Sequence, residues 1–198
     1  MKRIISLLLV AAMLLSAAVL LASCDNGAGK GGEETAPETE VKSNKVNADL
    51  KEVYNKVNEK VAFDDKVSEV LTKAEDEEEM VLLQYGMDPS VVAAVDNMCD
   101  YVITMPSDYC NTFAVFVFDR ELTADEITAI KGEVKMWYID TRASALQMYM
   151  PEEYSKMAWA AENEDLVWRE YDNALALIIT GEGEAKDAFE AFEAAALK

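Results

Sequence analysis

Chemistry in this chain has to come from carboxylates, thiols or aromatic faces. The sequence holds 38 Asp and Glu against 18 Lys and Arg, three cysteines and no histidine, for a formal charge of -20 over 198 residues. Without imidazole there is no Ser-His-Asp or Cys-His catalysis, no His-ligated zinc or haem, and no His proton shuttle. Paired carboxylates remain, and they can cleave glycosidic bonds as acid and base or nucleophile. Acids cluster at Asp76-Glu77-Glu78-Glu79, at Glu152-Glu153 and around Glu162, Glu164 and Asp165. In so acidic a chain these clusters read first as solvated faces and helix starts. Asp140-Thr141-Arg142 lacks the glycine of an aspartic-protease Asp-Thr-Gly, and Ser155-Lys156 lacks the spacing of a Ser-x-x-Lys nucleophile. The spaced acids, Gly and terminal Glu of an EF-hand are missing too. The sequence therefore assigns no catalytic residue, no metal ligands and no cofactor. Its charge also argues against nucleic acid as a partner and against a polybasic membrane patch.

The thiols divide into two cases. Cys99 and Cys110 are a candidate disulfide, a short ring worth roughly 3 kcal/mol. The alternative is two buried thiols acting as small apolar residues, and we favour it. Cys24 is different. Lys2 and Arg3 precede a run from Ile4 to Ala22 that is apolar except for Ser6 and Ser16, and Leu21-Ala22-Ser23-Cys24 follows. A basic start, an apolar stretch and a small-residue cleavage site make a secretory signal. With Cys after the small pair, the segment resembles the bacterial lipobox, whose thiol takes a diacylglycerol and becomes the mature N-terminus. An uncleaved membrane span is the competing reading of the apolar run. Two acyl chains on Cys24 would anchor the protein stably in the lipid bilayer. Loss of residues 1–23 removes two basic and no acidic residues, so the mature charge would be -22. Residues 24–45 then read as the lipidated cysteine and a flexible acidic, Gly-rich linker, and residues 46–198 as one domain.

Periodicity supplies the elements of that domain. Leu50, Val53, Tyr54, Val57 and Val61 predict an amphipathic helix over Asn47 to Val61. A shorter helix is expected over Asp65 to Lys73. A capping box at Asp76 predicts a third helix to Tyr85, and Asp88-Pro89 restarts a short one. Met98 to Met105 and Thr112 to Phe118 read as strands, the second apolar on both faces. Thr123-Ala124-Asp125-Glu126 is a capping box opening the longest helix, to about Tyr149. Pro151 ends that helix or begins another over Glu152 to Ala161. Leu166 to Tyr171 and Ala174 to Thr180 predict a hairpin around Asp172-Asn173, with Trp168 facing Leu177, Leu166 facing Ile179 and Glu170 opposite Leu175. A last helix, Glu184 to Leu197, buries Phe189, Phe192 and Ala196. The expected fold is α+β. It has an antiparallel four-stranded sheet from two hairpins (β-β-α-β-β-α), with helices packed on it, preceded by N-terminal helices. A split βαβ arrangement is the alternative. With helices on one face only, Phe113, Phe116 and Phe118 would offer an exposed apolar interaction surface, unless the N-terminal helices cover it. Tyr101, Trp137, Trp159, Trp168 and Tyr171 are further groove candidates that more often serve as core.

The layout resembles an uncharacterised family of Gram-positive bacterial lipoproteins known only as a domain of unknown function. The resemblance rests on the lipobox and acidic stalk and on Leu83-Gln84-Tyr85-Gly86-Met87-Asp88, like that family's Leu-x-x-Tyr-Gly-Ile-Asp. It extends to the apolar strand Phe113 to Phe118, to Tyr149-Met150-Pro151-Glu152, and to the hairpin at Tyr171-Asp172-Asn173-Ala174 with its terminal helix. The family's glycine before the hairpin tyrosine is absent. The resemblance implies an extracytoplasmic, membrane-anchored α+β protein and no activity. Three functions are consistent with this sequence. The first is a non-catalytic domain that binds an envelope protein or small ligand. The others are a carboxylate-dependent cell-wall or glycan hydrolase and an accessory subunit of a membrane complex.

Overall fold

The computed structural model describes residues 44–63, 67–76, 79–106, 110–147, 151–181 and 183–197. The expected signal segment, Cys24 and the expected linker up to residue 43 lie outside the described residues. Helix α1 (Leu50–Val61) forms where the spacing places it. Its N-cap Asp49 accepts the amide protons of Lys51 and Glu52, and Leu50, Val53, Tyr54, Val57 and Val61 are buried. The chain then departs from expectation. Residues Val67–Thr72 are a strand, β1, not a helix. Val67, Val70 and Leu71 mimic a helical stripe. The β-branched Val67, Val70 and Thr72 fit a pleated edge, and pairing with a neighbouring strand decides the outcome. Ser68 Oγ secures that edge by donating to the Met105 carbonyl at 3.0 Å. The helix expected from Asp76 is also shorter: α2 covers only Met80–Gln84. Asp76 does not cap it from solvent. It is buried, and its carboxylate accepts the Leu82 amide at 3.1 Å and the Tyr101 hydroxyl at 3.2 Å. Asp88 likewise starts a turn, accepting Ser90 N and Oγ at 2.8 and 2.7 Å, before a single 3₁₀ segment at Ala93–Asn97.

Strands β2 (Met98–Pro106) and β3 (Thr112–Phe118) form the first hairpin. After β3 comes helix α3 (Ala124–Val134), opened by the expected reciprocal capping box of Thr123 and Glu126. It continues through a π-helical segment, Lys135–Asp140, into α4 (Thr141–Leu146). Helices α5 (Pro151–Glu162) and α6 (Glu164–Val167) lead to β4 (Trp168–Tyr171) and β5 (Ala174–Ile179), and α7 (Glu184–Ala196) closes the domain. The α+β class holds, but the sheet has five antiparallel strands in the order β1-β2-β3-β5-β4 rather than four. In the second hairpin Trp168 faces Leu177 and Glu170 faces Leu175 as the two-residue turn requires. Leu166 does not face Ile179; it belongs to α6 and is exposed.

Helices cover both faces of this sheet, not one. On one face, Val115, Val117 and Phe113 pack with α1 and α7. Phe113 meets Tyr54 and Phe63 at ring distances of 5.4 and 6.1 Å, and Phe192 at 6.4 Å. On the other, Ala114, Phe116 and Phe118 pack with α2, α3 and the π segment. Each fully buried Phe or Val contributes about 1.5–3 kcal/mol, so β3 and β5, buried along their whole length, dominate the core.

Two surface carboxylates tie element ends together. Glu75 pairs with Lys51 and accepts the amide and hydroxyl of Thr72 at 2.9 and 3.0 Å. Glu126 pairs with Arg120 at 2.5 Å and accepts the amide and hydroxyl of Thr123, each at 2.9 Å. The basic partner first, and then these hydrogen bonds, lower both carboxyls from 4.5 to about 2. Their contribution is therefore complete above about pH 4.5 and disappears as the pH falls toward 2. In urea melts across that window, the wild-type midpoint should fall with pH more steeply than that of a Glu75→Gln, Glu126→Gln variant. Equal slopes would show that the two carboxyls are not depressed.

Candidate interaction site

The sites anticipated from sequence come to rest as follows. Phe113, Phe116 and Phe118 are buried, with Phe113 on one face of the sheet and the other two on the opposite face. They form no exposed surface, because α1 and α7 close the face that would have been open. Cys99 and Cys110 are free thiols, Cys99 exposed and Cys110 buried. Cys99 lies in a bulge beside the Phe118 end of β3, while Cys110 precedes the Thr112 end. At ~3.3 Å per residue they are roughly 20 Å apart, against a limit of about 7 Å for bridged Cα atoms, so the candidate disulfide does not form. Among the described residues no group of three or more His, Cys, Asp or Glu is placed to hold a metal ion.

A cluster of buried hydroxyls gathers at one end of the sheet. The 172–173 turn lies at the Phe118 end of β3, and Thr112 pairs with Ile179 at the other. At this far end Tyr85 and Tyr138 stack at 4.0 Å and 11°, both buried, and Arg142 stacks over Tyr138 at 4.3 Å. Each hydroxyl has an acceptor. Tyr85 donates to the Thr104 carbonyl at 3.0 Å and Thr112 to the Cys110 carbonyl at 3.1 Å, which leaves Tyr138 to donate to Thr112 Oγ1 at 2.8 Å. Burial, above all, holds both phenols above their ordinary range. They stay neutral and act as internal hydrogen-bond donors rather than as bases.

The π segment lies directly over this network and presents the opposite character outward. Its extra residue turns both Tyr138 and Ile139 into the core and moves the next buried contact to Leu146. Met136 and Trp137 are left facing solvent, 49% and 58% exposed. Leu83, 43% exposed, stands one turn before Gly86, whose amide donates to the Leu83 carbonyl at 2.9 Å. Gly86 presses against the same surface. With φ of 77°, its missing Cβ would lie 2.8 Å from the Glu133 carbonyl oxygen and 3.0 Å from Trp137 Cδ1. The indole is further held by its own N–H, which donates to Glu133 Oε2 at 3.0 Å. The result is an exposed Met136-Trp137 pair with the indole set against Gly86, built on the kind of helix irregularity that is frequent at functional sites.

The sequence offers Trp137 as a groove candidate that more often serves as core, and it does not single out Met136 or Leu83 as site residues; Trp137 is exposed. Trp137 is adjacent to the buried position 138, so an uninterrupted helical period leaves it at the margin of the core stripe. The signal that was legible is Gly86 in Leu83-Gln84-Tyr85-Gly86. No family model, no curated protein and no solved structure matches the chain.

Gly86→Ala tests this arrangement. A left-handed alanine costs about 1–2 kcal/mol before the clash is counted. We expect at least that loss in urea unfolding together with a shift in tryptophan emission. The emission shift should vanish in a Trp137→Phe background, which separates this indole from Trp159 and Trp168. Unchanged emission would show that Gly86 does not position Trp137.

Proposed function

We propose that the protein is a lipid-anchored extracytoplasmic lipoprotein whose single α+β domain binds a partner without catalysing a reaction. The observation that carries this reading is the order of segments. A basic-apolar leader ends in Leu21-Ala22-Ser23-Cys24, a Gly- and Glu-rich stretch follows, and the helical periodicity of the domain starts only after Asn47. The resemblance to Gram-positive lipoproteins points the same way and gives the bilayer, through a diacylglyceryl group on Cys24, as the anchor. No helix among the described residues is long and apolar enough to cross a membrane.

The first described residues of the domain lie against the turn of the second hairpin. Asn44 donates from Nδ2 to Asp172 Oδ1 at 3.3 Å, and the Val46 amide donates to Asn173 Oδ1 at 2.9 Å. The tether would thus join at the 172–173 end of the sheet, while Tyr138 and its neighbour Trp137 sit with Thr112 at the other.

Cys24→Ala tests the anchor. Cells given a radiolabelled fatty acid should label the wild-type chain, and that chain should migrate as a product shortened by 23 residues. The variant should carry no label and should remain uncleaved or be released. Identical labelling and processing of the two would refute the lipobox reading.

A further inference from the structure

We propose that the helix spanning Ala124 to Leu146 is a charge-set register switch: the ion pair of Lys135 with Asp140 holds the π register, and its loss returns the segment to the α register and turns Trp137 from solvent toward the core. The inference rests on the domain alone and not on the anchor at Cys24. The spacing of the pair carries it. Lys135 Nζ donates to both carboxylate oxygens of Asp140, at 2.9 and 3.0 Å, across five residues. In an α-helix five residues advance about 500°, so the two side chains would stand about 140° apart around the axis. Side chains that meet there are three or four residues apart. In a π turn the ring closes on the fifth residue and brings the two together. The hydroxyls of the same helix show the same change of period. Thr128 and Ser144 reach back four residues, to the carbonyls of Ala124 and Asp140, each at 2.8 Å. Thr141, just past the π segment, reaches back five, to the Met136 carbonyl at 3.1 Å.

The sequence supplies apolar residues for either register. Ile130 and Val134 are buried. Trp137 follows Val134 by three residues and Ile130 by seven. In an unbroken α-helix it falls on their side of the axis, and Ile139 turns outward. In the π register the choice is reversed: Ile139 is buried and Trp137 is exposed. Each register buries one large apolar side chain and gives up another, so burial alone separates them little, and a surface ion pair can tip the balance. The Tyr138 hydroxyl on Thr112 favours the π side from within the core. The ion pair favours it from outside. Both of its side chains are partly exposed, so it is the contact that charge in the surroundings reaches. The neighbouring charges have other partners. Lys131 pairs with Glu170, and Glu133 accepts the indole N–H of Trp137. The exposure of Trp137 is thus conditional on the charges at positions 135 and 140, while Met136 stays outside in both registers.

The test reads Trp137 in the full chain by acrylamide quenching of its fluorescence. Each chain is compared with the same chain carrying Trp137→Phe, which subtracts the signal of Trp159 and Trp168. Lys135→Glu sets two like charges against each other and should lower the quenching of Trp137 severalfold, as the ring leaves solvent. Asp140→Asn keeps the shape and drops the charge, and should lower it less, in the same direction. Lys135→Asp combined with Asp140→Lys restores opposite charges at the same spacing and should return the wild-type value. Urea melts show which variants fold cooperatively. If Lys135→Glu does not fold, Asp140→Asn and the exchanged pair decide the matter. Unchanged or increased quenching in the single variants, with or without a loss of stability, would show that the pair supports the helix without selecting its register and would overturn the proposal. An exchanged pair that folds but fails to restore the wild-type value would overturn it as well.

Discussion

A strand apolar on both faces must be kept from water twice, and the architecture follows from that requirement. Thr112–Phe118 sends Phe113, Val115 and Val117 to one side and Ala114, Phe116 and Phe118 to the other. Neither set can face solvent without losing the burial energy of several large side chains. Flanking strands protect the backbone of β3, but only helices can cover its side chains. The chain supplies two helical layers. Helices α1 and α7, from the two ends of the domain, form one. Helix α3, the π segment and the helices packed beside it form the other. The bridge of Val46 with Leu197 joins the segment before α1 to the residue after α7, so the layer is held at its ends as well as across its face.

The second layer has a complication that sets the character of the surface. An unbroken α-helix from Thr123 would carry its apolar stripe from Val134 through Tyr138 to Ala145. The π turn shifts the stripe by one residue. It gains a buried Ile139 and Leu146, and it leaves Met136 and Trp137 outside. The same turn brings the Tyr138 hydroxyl to Thr112, where it completes a set of buried hydroxyls with no proton left unplaced. Interior satisfaction and exterior exposure thus arise from one local insertion, braced by Gly86, whose backbone approaches Glu133 more closely than any Cβ would permit.

The sequence was most legible where a local rule and the tertiary contacts agree. Thr123 with Glu126, the α1 stripe, the all-apolar β3 and the Asp172-Asn173 turn each announce themselves, and Trp168 opposite Leu177 follows from a two-residue loop alone. It was least legible where partners far along the chain decide. Val67, Val70 and Leu71 have helical spacing, yet they form an edge strand because β2 offers a ladder. Asp76 reads as a solvent-facing cap, yet Tyr101 and the Leu82 amide draw it inside. The π insertion leaves no local mark, so the exposure of Trp137 beside the buried Tyr138 and Ile139 is not legible from the helical period. Phe113, Phe116 and Phe118 were rightly read as a two-faced apolar strand. The exposed surface drawn from them required one face to stay bare, and α1 with α7 covers it.

The central claim is that the sheet is sealed on both sides, so neither of its faces is an exposed interaction surface. Native-state hydrogen exchange at Val115, Phe116 and Leu177 tests it most directly. Sealed on both faces, these amides should exchange only through global unfolding. Their opening free energies should equal the stability from urea melts and should respond to low urea with the full denaturant slope. Exchange at lower free energy with little dependence on urea, while α1 and α7 remain protected, would mean that one face opens locally and would contradict the account.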